Sequence, residues 1–229
     1  MNIVIASDFD NTITLTNDKT AMTTFEEVLP SEYKEMRERI YKEEKLKQLD
    51  PTEILDYYDK IWDEKFQTFK KYNITKELIT SLTKEVTIKK GFSELVNYLN
   101  QKNIPFIINS AGLGDFIKIK LETENLMLPN IKIISNFLND TGEYVTRYNK
   151  STNKEYQIQI NNADILVIIG DTLSDLTLIP PNYPHKVVKI AFPRLDYEDY
   201  KNNFDYTIEE ENFNQVLRII KELEKWKKY

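Results

Sequence analysis

The sequence contains no cysteine and a single histidine, His185. Without cysteine the protein cannot use a disulfide scaffold, a cysteine-ligated zinc site or a thiolate nucleophile, so cysteine-dependent phosphatases are excluded. One histidine is too few for a multi-histidine metal site, and a Ser-His-Asp triad would have only His185 available as its base. His185 lies in Pro184-His185-Lys186, far from every motif described below, and we interpret it as structural.

Long apolar runs and strong positive charge are also missing. No apolar run approaches the roughly 20 residues of a membrane helix, and the start MNIVIASDFD lacks the basic and long apolar regions of a signal peptide. We therefore expect a cytoplasmic protein without a membrane partner. Lys and Arg number 31 against 37 Asp and Glu, for a net charge of -6, and no Lys/Arg block stands out. Nucleic-acid binding is not expected, although a metal ion and local cations can still attract a small anionic substrate into one pocket.

Glycine is scarce, with five residues in all, and none lies between residues 17 and 88. This stretch is rich in Glu, Lys, Tyr and Leu. Helix-start signals at Pro30-Ser31 and Asp50-Pro51-Thr52 predict three or four helices and no strand. We interpret residues 17–88 as a helical cap domain inserted into one α/β core domain, which comprises residues 1–16 and 89–229.

The core sequence alternates between short apolar strands and amphipathic helices. With 41% hydrophobic and 30% charged residues and a mean hydropathy of -0.52, the chain is typical of a globular protein with a sizeable core. The alternation predicts a Rossmann-like, doubly wound parallel sheet, with ligands beyond the carboxyl ends of its strands. The predicted strands are 2–6, 104–109, 131–135, 164–169 and 187–191; the predicted helices are 92–100, 115–125, 155–161, 173–179 and 212–228; a hairpin turn is predicted at 139–142.

Three of the predicted strands end in polar clusters. The first ends in Ser7 to Thr12, a later one in Asn109 to Gly112, and another in Gly170 to Asp175. Because parallel strands place their carboxyl ends at one edge of the sheet, these clusters should meet there. Lys150 could supply a cation to the same place.

Phosphoryl transfer requires this set of residue types. Asp8 and Asp171 are acidic enough to hold one Mg²⁺, which screens a carboxylate nucleophile from a phosphate dianion. We expect Asp8 to attack phosphorus in line and to form an aspartyl-phosphate. Asp10, two residues later, can protonate the leaving oxygen and afterwards deprotonate water.

The phosphate itself also needs ligands. The Ser110 hydroxyl and the backbone N–H groups of Ala111 and Gly112 can hold its oxygens, and Lys150 can neutralise both the phosphate and the carboxylates. Alternative interpretations remain: Ser110 could be a helix cap, and Lys150 could be a solvated surface residue, with Lys154 as its rival.

The motifs and their order resemble those of the haloacid-dehalogenase (HAD) superfamily. Its pattern is Asp-x-Asp-x-Thr, then Ser/Thr, then Lys, then Gly-Asp-x-x-x-Asp; the matching residues here are 8–12, Ser110, Lys150 and 170–175. The resemblance implies an α/β core with a helical cap, and phosphatase rather than dehalogenase chemistry because the second Asp is present.

The same resemblance implies a metal site. In it, Mg²⁺ takes Asp8, the backbone carbonyl of Asp10, and Asp171 as ligands. Asp175 would orient Lys150 or a metal-bound water.

A narrower set of residues is similar to the cytosolic pyrimidine 5′-nucleotidase (class III, UMPH-1-like) family. The similar segments are 109–115, 130–137 and 148–150. This resemblance implies a nucleoside 5′-monophosphate substrate such as UMP or CMP, or 7-methylguanosine monophosphate in some relatives. A family segment whose acidic residue contacts the base usually carries Glu followed by Trp, and here Asp56 and Tyr57 stand in those places.

Two other functions compete with a nucleotidase. One is a HAD phosphatase for another small metabolite, such as phosphoserine or the phosphorylated ketone of methionine salvage. The lack of cysteine and the sequence Ser110-Ala111-Gly112, where phosphoserine enzymes usually have Ser-Gly-Gly, favour the nucleotidase. The other is a non-enzymatic phospho-acceptor or an inactive relative. For the leading interpretation we expect a small phosphate monoester, in particular a nucleoside monophosphate, as partner, and a monomer or weak homodimer.

Overall fold

The computed structural model describes most of the chain. Its described ranges are residues 2–16, 19–46, 63–138, 153–194 and 197–225.

A six-stranded parallel sheet lies at the centre of the described chain, with the strand order β3-β2-β1-β4-β5-β6. Every neighbouring pair in it is parallel. This topology confirms the predicted Rossmann-like, doubly wound α/β fold, because the chain reverses direction across the sheet after β3. The strands are β1 (Ile3–Ser7), β2 (Phe106–Leu113), β3 (Ile131–Asn136), β4 (Ile165–Gly170), β5 (Lys186–Ala191) and β6 (Tyr206–Thr207).

Helices cover both faces of this sheet. Successive residues of β4 alternate between two apolar clusters, with Ile165 and Val167 in the larger and Leu166 and Ile168 in the smaller. This alternation follows from the two-residue period of a strand, and strands buried on both faces need unbroken apolar sequences. The helices are α1 (Ser31–Leu46), α2 (residues 63–71), α3 (Lys76–Leu82), α4 (Phe92–Gln101), α5 (Gly114–Thr123), α6 (Lys154–Ile160), α7 (Tyr197–Asn203) and α8 (Asn214–Lys225).

The larger cluster contains α4, α5 and α8 together with aromatic side chains from the helical segment. Phe69 of α2 packs against Phe25 and Tyr33, with ring centroids 4.8 and 5.9 Å apart. The described residues between 19 and 85 form only helices and turns, as expected for this segment. The division of the chain into core and cap domains stays a prediction.

Two connecting segments, here called crossings, link the core to the helical segment: one leaves the turn after β1 near residues 13–15, and the other returns near residues 87–89. Leu15 N–H donates to the carbonyl of Thr87 over 2.9 Å, and Lys89 N–H donates to the carbonyl of Ile13 over 2.9 Å. The outgoing and returning chains therefore run antiparallel and side by side next to the end of β1.

Several predicted boundaries were wrong. β2 continues to Leu113, four residues beyond its predicted end at 109, because pairing with β3 extends it across polar residues after a register irregularity. The segment after β4 is a 3₁₀ helix, Leu173–Leu178, rather than an α-helix. α7 and β6 were not predicted, since α7 has few apolar residues and β6 has only two residues.

Two further predictions concern a turn and membrane-spanning helices. The predicted turn at 139–142 lies outside the described residues. Among the helices that the structure describes, none combines the length and apolarity needed to cross a membrane.

Candidate active site

A tight turn follows β1 and carries Asp8 and Asp10. Asp8 N–H donates to the carbonyl of Ile169 over 3.0 Å, which holds the end of β1 against β4. Asn11 has a positive φ of 59°, a conformation that Asn tolerates better than most residues, and its N–H donates to Thr14 Oγ1 over 2.8 Å. The turn thereby keeps both aspartates at the carboxyl edge of the sheet.

The turn after β4 is organised by the carboxylate of Asp175. Its Oδ2 accepts hydrogen bonds from the backbone N–H groups of Asp171 (3.0 Å) and Thr172 (2.9 Å). The same oxygen accepts from the Thr172 hydroxyl over 3.0 Å. Thr172 and Asp175 form a capping box at this helix start, because each side chain accepts a hydrogen bond from the backbone N–H of the other residue. A Cβ at Gly170 would lie 2.4 Å from the Asp175 Cβ, and only glycine therefore fits beneath the folded-back carboxylate.

Asp8, Asp171 and Asp175 form a carboxylate cluster at this edge. Each offers one oxygen, and these oxygens all lie within 4.8 Å of one another. Asp171 is further oriented by Thr12, whose hydroxyl donates to Oδ1 over 3.2 Å. Hard divalent cations such as Mg²⁺ prefer oxygen ligands of this kind, so the residues present fit such an ion.

Asp10 faces the cleft from a different environment. Its Oδ1 accepts a hydrogen bond from the Ala21 N–H over 2.8 Å. Burial raises the pKa of Asp10 to about 6, although the Ala21 N–H and the charges of Lys65 and Arg194 act to lower it. A carboxyl group with a pKa near neutrality suits proton transfer in both directions.

The end of β2 supplies hydroxyl and backbone groups beside Asp10. Ser110 is buried, and its Oγ accepts a hydrogen bond from Gly112 N–H over 3.0 Å. Ser135 Oγ donates to the Gly112 carbonyl over 2.8 Å. A Cβ at Gly112 would lie 3.1 Å from Ser110 Oγ and 3.4 Å from Asp10 Oδ2, so the backbone approaches the acid closely here.

These groups line one cleft of about 210 Å³. Its size suits a phosphate group and the first atoms attached to it. The structure brings together all the predicted catalytic, metal-binding and phosphate-binding residues that it describes. The lining residues are Asp8, Asp10, Asn11, Met22, Lys65, Ser110, Ala111, Gly112, Asp171, Thr172, Ser174, Asp175 and Arg194.

Three predicted residues lie outside the described ranges. These are Lys150, the predicted phosphate cation, and Asp56 and Tyr57, the predicted base contacts. Their roles stay predictions.

Sequence reasoning missed two cations in the cleft, Lys65 and Arg194. Arg194 Nη1 lies 3.3 Å from Asp171 Oδ2, with its side chain 38% exposed. It follows the end of β5 by three residues, so the rule that ligands bind beyond strand ends could have indicated it. Lys65 belongs to α2, and nothing in the sequence distinguishes it from the other lysines of that segment.

The segment that follows β3 is fastened to the start of α5. A Cβ at Gly114 would lie 2.5 Å from the ring of Phe137, so the ring packs directly on the glycine. Asp115 Oδ2 accepts a hydrogen bond from Leu138 N–H over 2.7 Å, and burial raises the pKa of this carboxyl group. The sequence Gly-Asp after β2 and Asn-Phe at the end of β3 thus form one structural unit.

Comparison with known proteins gives a family match. The family model described as pyrimidine 5′-nucleotidase (UMPH-1) matches residues 16–224. The 7-methylguanosine phosphate-specific 5′-nucleotidase B of Xenopus laevis is 27% identical over 159 residues, which are 62% of this chain and 55% of that protein. The chain therefore spans little more than half the length of this curated relative.

Two further similarities extend over more of the chain. The 2-hydroxy-3-keto-5-methylthiopentenyl-1-phosphate phosphatase of Bacillus cereus is 26% identical over 190 residues, 77% of this chain and 78% of that protein. The crystal structure of cytosolic 5′-nucleotidase IIIB bound to cytidine superposes with a TM-score of 0.74 at 21% identity, covering 98% of this chain and 88% of that one. At that identity the superposition supports the fold alone.

Proposed function

The chain belongs to the pyrimidine 5′-nucleotidase (UMPH-1) family, and we propose that it hydrolyses the phosphate ester of a nucleoside 5′-monophosphate through an aspartyl-phosphate on Asp8. The observation that carries the proposal is the carboxylate cluster of Asp8, Asp171 and Asp175, with Asp10 in the same cleft. This combination provides a nucleophile, a cation site and a separate proton donor.

The nucleophile in this proposal is the Asp8 carboxylate. A phosphate dianion repels a carboxylate, and Mg²⁺, when bound, would offset that repulsion. The residues that would hold it are Asp8, the backbone carbonyl of Asp10, and Asp171. Thr12 and Asp175 keep Asp171 in place by the hydrogen bonds described above.

Asp10 is the proposed acid and base. In its protonated form it donates to the leaving oxygen, and in its ionised form it accepts a proton from the water that hydrolyses the aspartyl-phosphate. A pKa of about 6 makes both forms accessible near neutral pH.

The phosphate oxygens are the proposed partners of Ser110 and of the N–H groups of Ala111 and Gly112. The Gly112 N–H now donates to Ser110 Oγ, so an incoming phosphate oxygen would compete for it. Lys150 is the proposed cation that neutralises the phosphate, and Asp175 is proposed to orient it.

The nucleobase is the least constrained part of the proposal. We propose Asp56 and Tyr57, in the helical segment 17–88, as base contacts, with this segment acting as a cap over the core of residues 1–16 and 89–229. The related proteins divide: the Xenopus relative is named for 7-methylguanosine phosphate, whereas the family is named for pyrimidine nucleotides. Both base classes therefore belong in the test.

We further propose that the protein is a cytoplasmic monomer or weak homodimer with no partner beyond its substrate.

A phosphatase for another small metabolite is the second candidate. It is favoured by the match to the Bacillus cereus phosphatase, which covers 77% of the chain against 62% for the Xenopus nucleotidase. A small, polar-lined cleft fits either substrate class.

A substrate panel tests these proposals. Purified protein with Mg²⁺ is given UMP, CMP, dUMP, AMP, GMP, 7-methyl-GMP, phosphoserine and an aryl phosphate, with the Asp8→Asn variant as blank. We expect one nucleotide class to exceed the other esters by more than about tenfold in kcat/KM, roughly 1.4 kcal/mol of transition-state binding. Equal rates on all esters would leave a general phosphatase, and wild-type rates no higher than the blank would contradict the hydrolase itself.

The intermediate is tested separately. The substrate is an aryl phosphate, whose leaving group departs without protonation, so the Asp10→Asn variant can still form the aspartyl-phosphate. Its hydrolysis loses its base, and we expect a protein species heavier by one phosphoryl group to accumulate in rapid-quench mass spectrometry. The same species should be missing from the Asp8→Asn variant. Turnover without any such adduct in the Asp10→Asn variant would argue for direct attack by water.

A further inference from the structure

Lys89 is a buried lysine that the proposed reaction does not use. It lies on the chain that returns from the helical segment, two residues before Gly91 and three before the first residue of α4. Its side chain is 0% exposed. Lysine is almost never fully buried unless its ammonium is paired, so its partners indicate what it does.

The ammonium binds the turn that carries the acid Asp10. Lys89 Nζ donates to the backbone carbonyl of Asn11, the residue directly after Asp10, and to the carbonyl of Thr14. It also donates to the hydroxyl Oγ1 of Thr16 over 3.2 Å. Three acceptors thus match the three N–H groups of one ammonium.

These acceptors join two parts of the molecule. Asn11 belongs to the turn after β1, whereas Thr14 and Thr16 lie on the chain leaving for the helical segment. Lys89 itself lies on the returning chain, and its backbone N–H donates to the carbonyl of Ile13 over 2.9 Å. One side chain therefore fastens the turn to both crossings between the core and the helical segment.

The charge of Lys89 is maintained in an apolar setting. Its Nζ lies 5.0 Å from the centroid of the Phe192 ring. Burial lowers the pKa of Lys89 to about 8, while two charged groups of the described chain, Glu211 at 3.7 Å and Asp171 just after β4, favour the ammonium form. A methionine could fill the same volume without this desolvation cost, so a purely packing role does not explain a lysine here.

We propose that Lys89 is a positioning residue for the reaction: its ammonium holds the Asn11 to Thr16 turn so that Asp10 keeps its place beside the leaving group. Without it, the buried carbonyl of Thr14 loses the ammonium as donor, and the carbonyl of Asn11 keeps only the Thr16 hydroxyl, 3.3 Å away. The turn then has to rearrange to satisfy the Thr14 carbonyl. The positive φ of Asn11 makes this turn sensitive to such a loss. The inference rests on the proposed hydrolase function.

The absence of cysteine allows a clean replacement of the ammonium. The Lys89→Cys variant is unfolded, treated with 2-bromoethylamine and refolded, which restores an aminoethyl group at the single thiol through a thioether. The resulting amine is a weaker base than that of lysine. Lys89→Met removes the charge with little change in volume, and Lys90→Cys and Lys90→Met, at the exposed neighbouring lysine, are the matched controls.

We expect Lys89→Met to lower kcat roughly 10–100-fold with little change in KM, because a small displacement of a catalytic group slows the chemical step. Aminoethylation of the Lys89→Cys variant should restore most of kcat. Because loss of the Asp10 proton already lowers kcat above about pH 6, loss of the ammonium at position 89 adds a second, steeper part to the alkaline limb, and this part should move to lower pH than in wild type. The Lys90 variants should change neither. Unchanged kcat in Lys89→Met, or recovered kcat without a shifted alkaline limb, would overturn the proposal.

Two further measurements cover variants that fold poorly and a wild type that lacks turnover. Glu211→Gln leaves Lys89 and its three hydrogen bonds in place but removes a charge that favours the ammonium, so its alkaline limb should also move to lower pH. An unmoved limb would contradict the role. Amide hydrogen exchange needs no substrate: exchange at residues 11–16 should accelerate in Lys89→Met and not in Lys90→Met. Equal exchange in the two would overturn the positioning role, whereas failure of wild type on every ester would overturn only the hydrolase function.

Discussion

The environment of Asp10 in the cleft opposes ionisation of its carboxyl group. Its pKa of about 6 lies above the ordinary value of 3.8, with burial as the main cause. The folded protein therefore holds this proton more tightly than the unfolded chain does between about pH 4 and 6. Asp10 consequently lowers stability progressively as the pH rises through that window, and the loss is complete at pH 7.

Replacing Asp10 by Asn should stabilise the protein while it abolishes turnover. Asn keeps an acceptor for the Ala21 N–H without the buried charge. In the absence of Mg²⁺ at pH 7 we expect a gain of about 1 kcal/mol, roughly 2–4 °C in Tm for a chain of this length, measured by calorimetry. The gain should vanish near pH 4, and a gain that is the same at both pH values would contradict the electrostatic explanation.

Asp164→Asn serves as the control of opposite sign. A hydrogen bond from the Asn2 N–H lowers the pKa of the Asp164 carboxyl group, so its ionised form supports folding above the unfolded-state pKa. That variant should lose Tm at pH 7, and the loss should fade as the pH falls through its lowered folded-state pKa.

Gly170 and Gly112 differ in how rigid their neighbours are. A methyl group at Gly170 meets the Asp175 side chain at 2.4 Å, and that side chain is tied to three donors. We expect Gly170→Ala to cost about 1–3 kcal/mol in urea unfolding. Gly112→Ala should cost less, because its nearest neighbour, Ser110 Oγ, lies at 3.1 Å on a rotatable side chain. Equal costs would show that the Asp175 contact is not what requires glycine.

At the scale of elements, the start of α5 and the end of β3 depend on one another. Gly114 and Phe137 are in direct contact, and Asp115 binds the backbone N–H of Leu138. Both contacts fix where the chain leaves β3.

A double-mutant cycle measures this coupling. Gly114→Ala alone should destabilise by about 1–3 kcal/mol, because the new Cβ would lie 2.5 Å from the Phe137 ring. In a Phe137→Ala background the same change should cost much less, for a coupling energy of about 1 kcal/mol or more in urea unfolding. If Gly114→Ala costs the same in both backgrounds, its destabilisation arises from the backbone of α5 and not from contact with Phe137.

At the scale of the whole molecule, we expect the carboxylate cluster to link stability to divalent cations. Its three members come from the ends of β1 and β4 and from the 3₁₀ helix after β4. Crowded carboxylates repel one another in the folded state and separate on unfolding. A cation that binds only the folded protein therefore stabilises the entire fold.

Mg²⁺ should raise Tm in wild type. At 100 times its Kd the gain is about 2.7 kcal/mol, or roughly 5–10 °C for a chain of this length. Asp8→Asn and Asp171→Asn should abolish the dependence on Mg²⁺, while Asp199→Asn, an exposed carboxylate on α7, should keep it. Scanning calorimetry with and without the ion checks this, and a gain retained in Asp171→Asn would contradict the proposed ligand set.

Family and fold could be predicted because both depend on local patterns. The unbroken apolar sequences of β1 and β4 require burial on both faces, which only a sheet covered by helices provides. Polar residues directly after such strands then meet at one edge, so Asp8, Ser110 and Asp171 could be assigned to one cleft before any coordinates existed. What each of them does there stays a prediction.

Contacts between distant segments could not be predicted. The extension of β2 to Leu113 depends on pairing with β3, and the two-residue β6 exists only because β5 lies beside it. Arg194 reaches Asp171, and Lys65 reaches the cleft from α2, through packing that no periodicity encodes.

The sequence alone determined the family and the fold and predicted the class of chemistry, because that prediction follows from residue types and their distance along the chain from a strand end. Only the tertiary structure decided which groups surround those residues. The raised pKa of Asp10 and the lowered pKa of Lys89 both arise from desolvation by residues far away in the chain. Burial is a property of the whole packed molecule, so it appears only when the elements have come together.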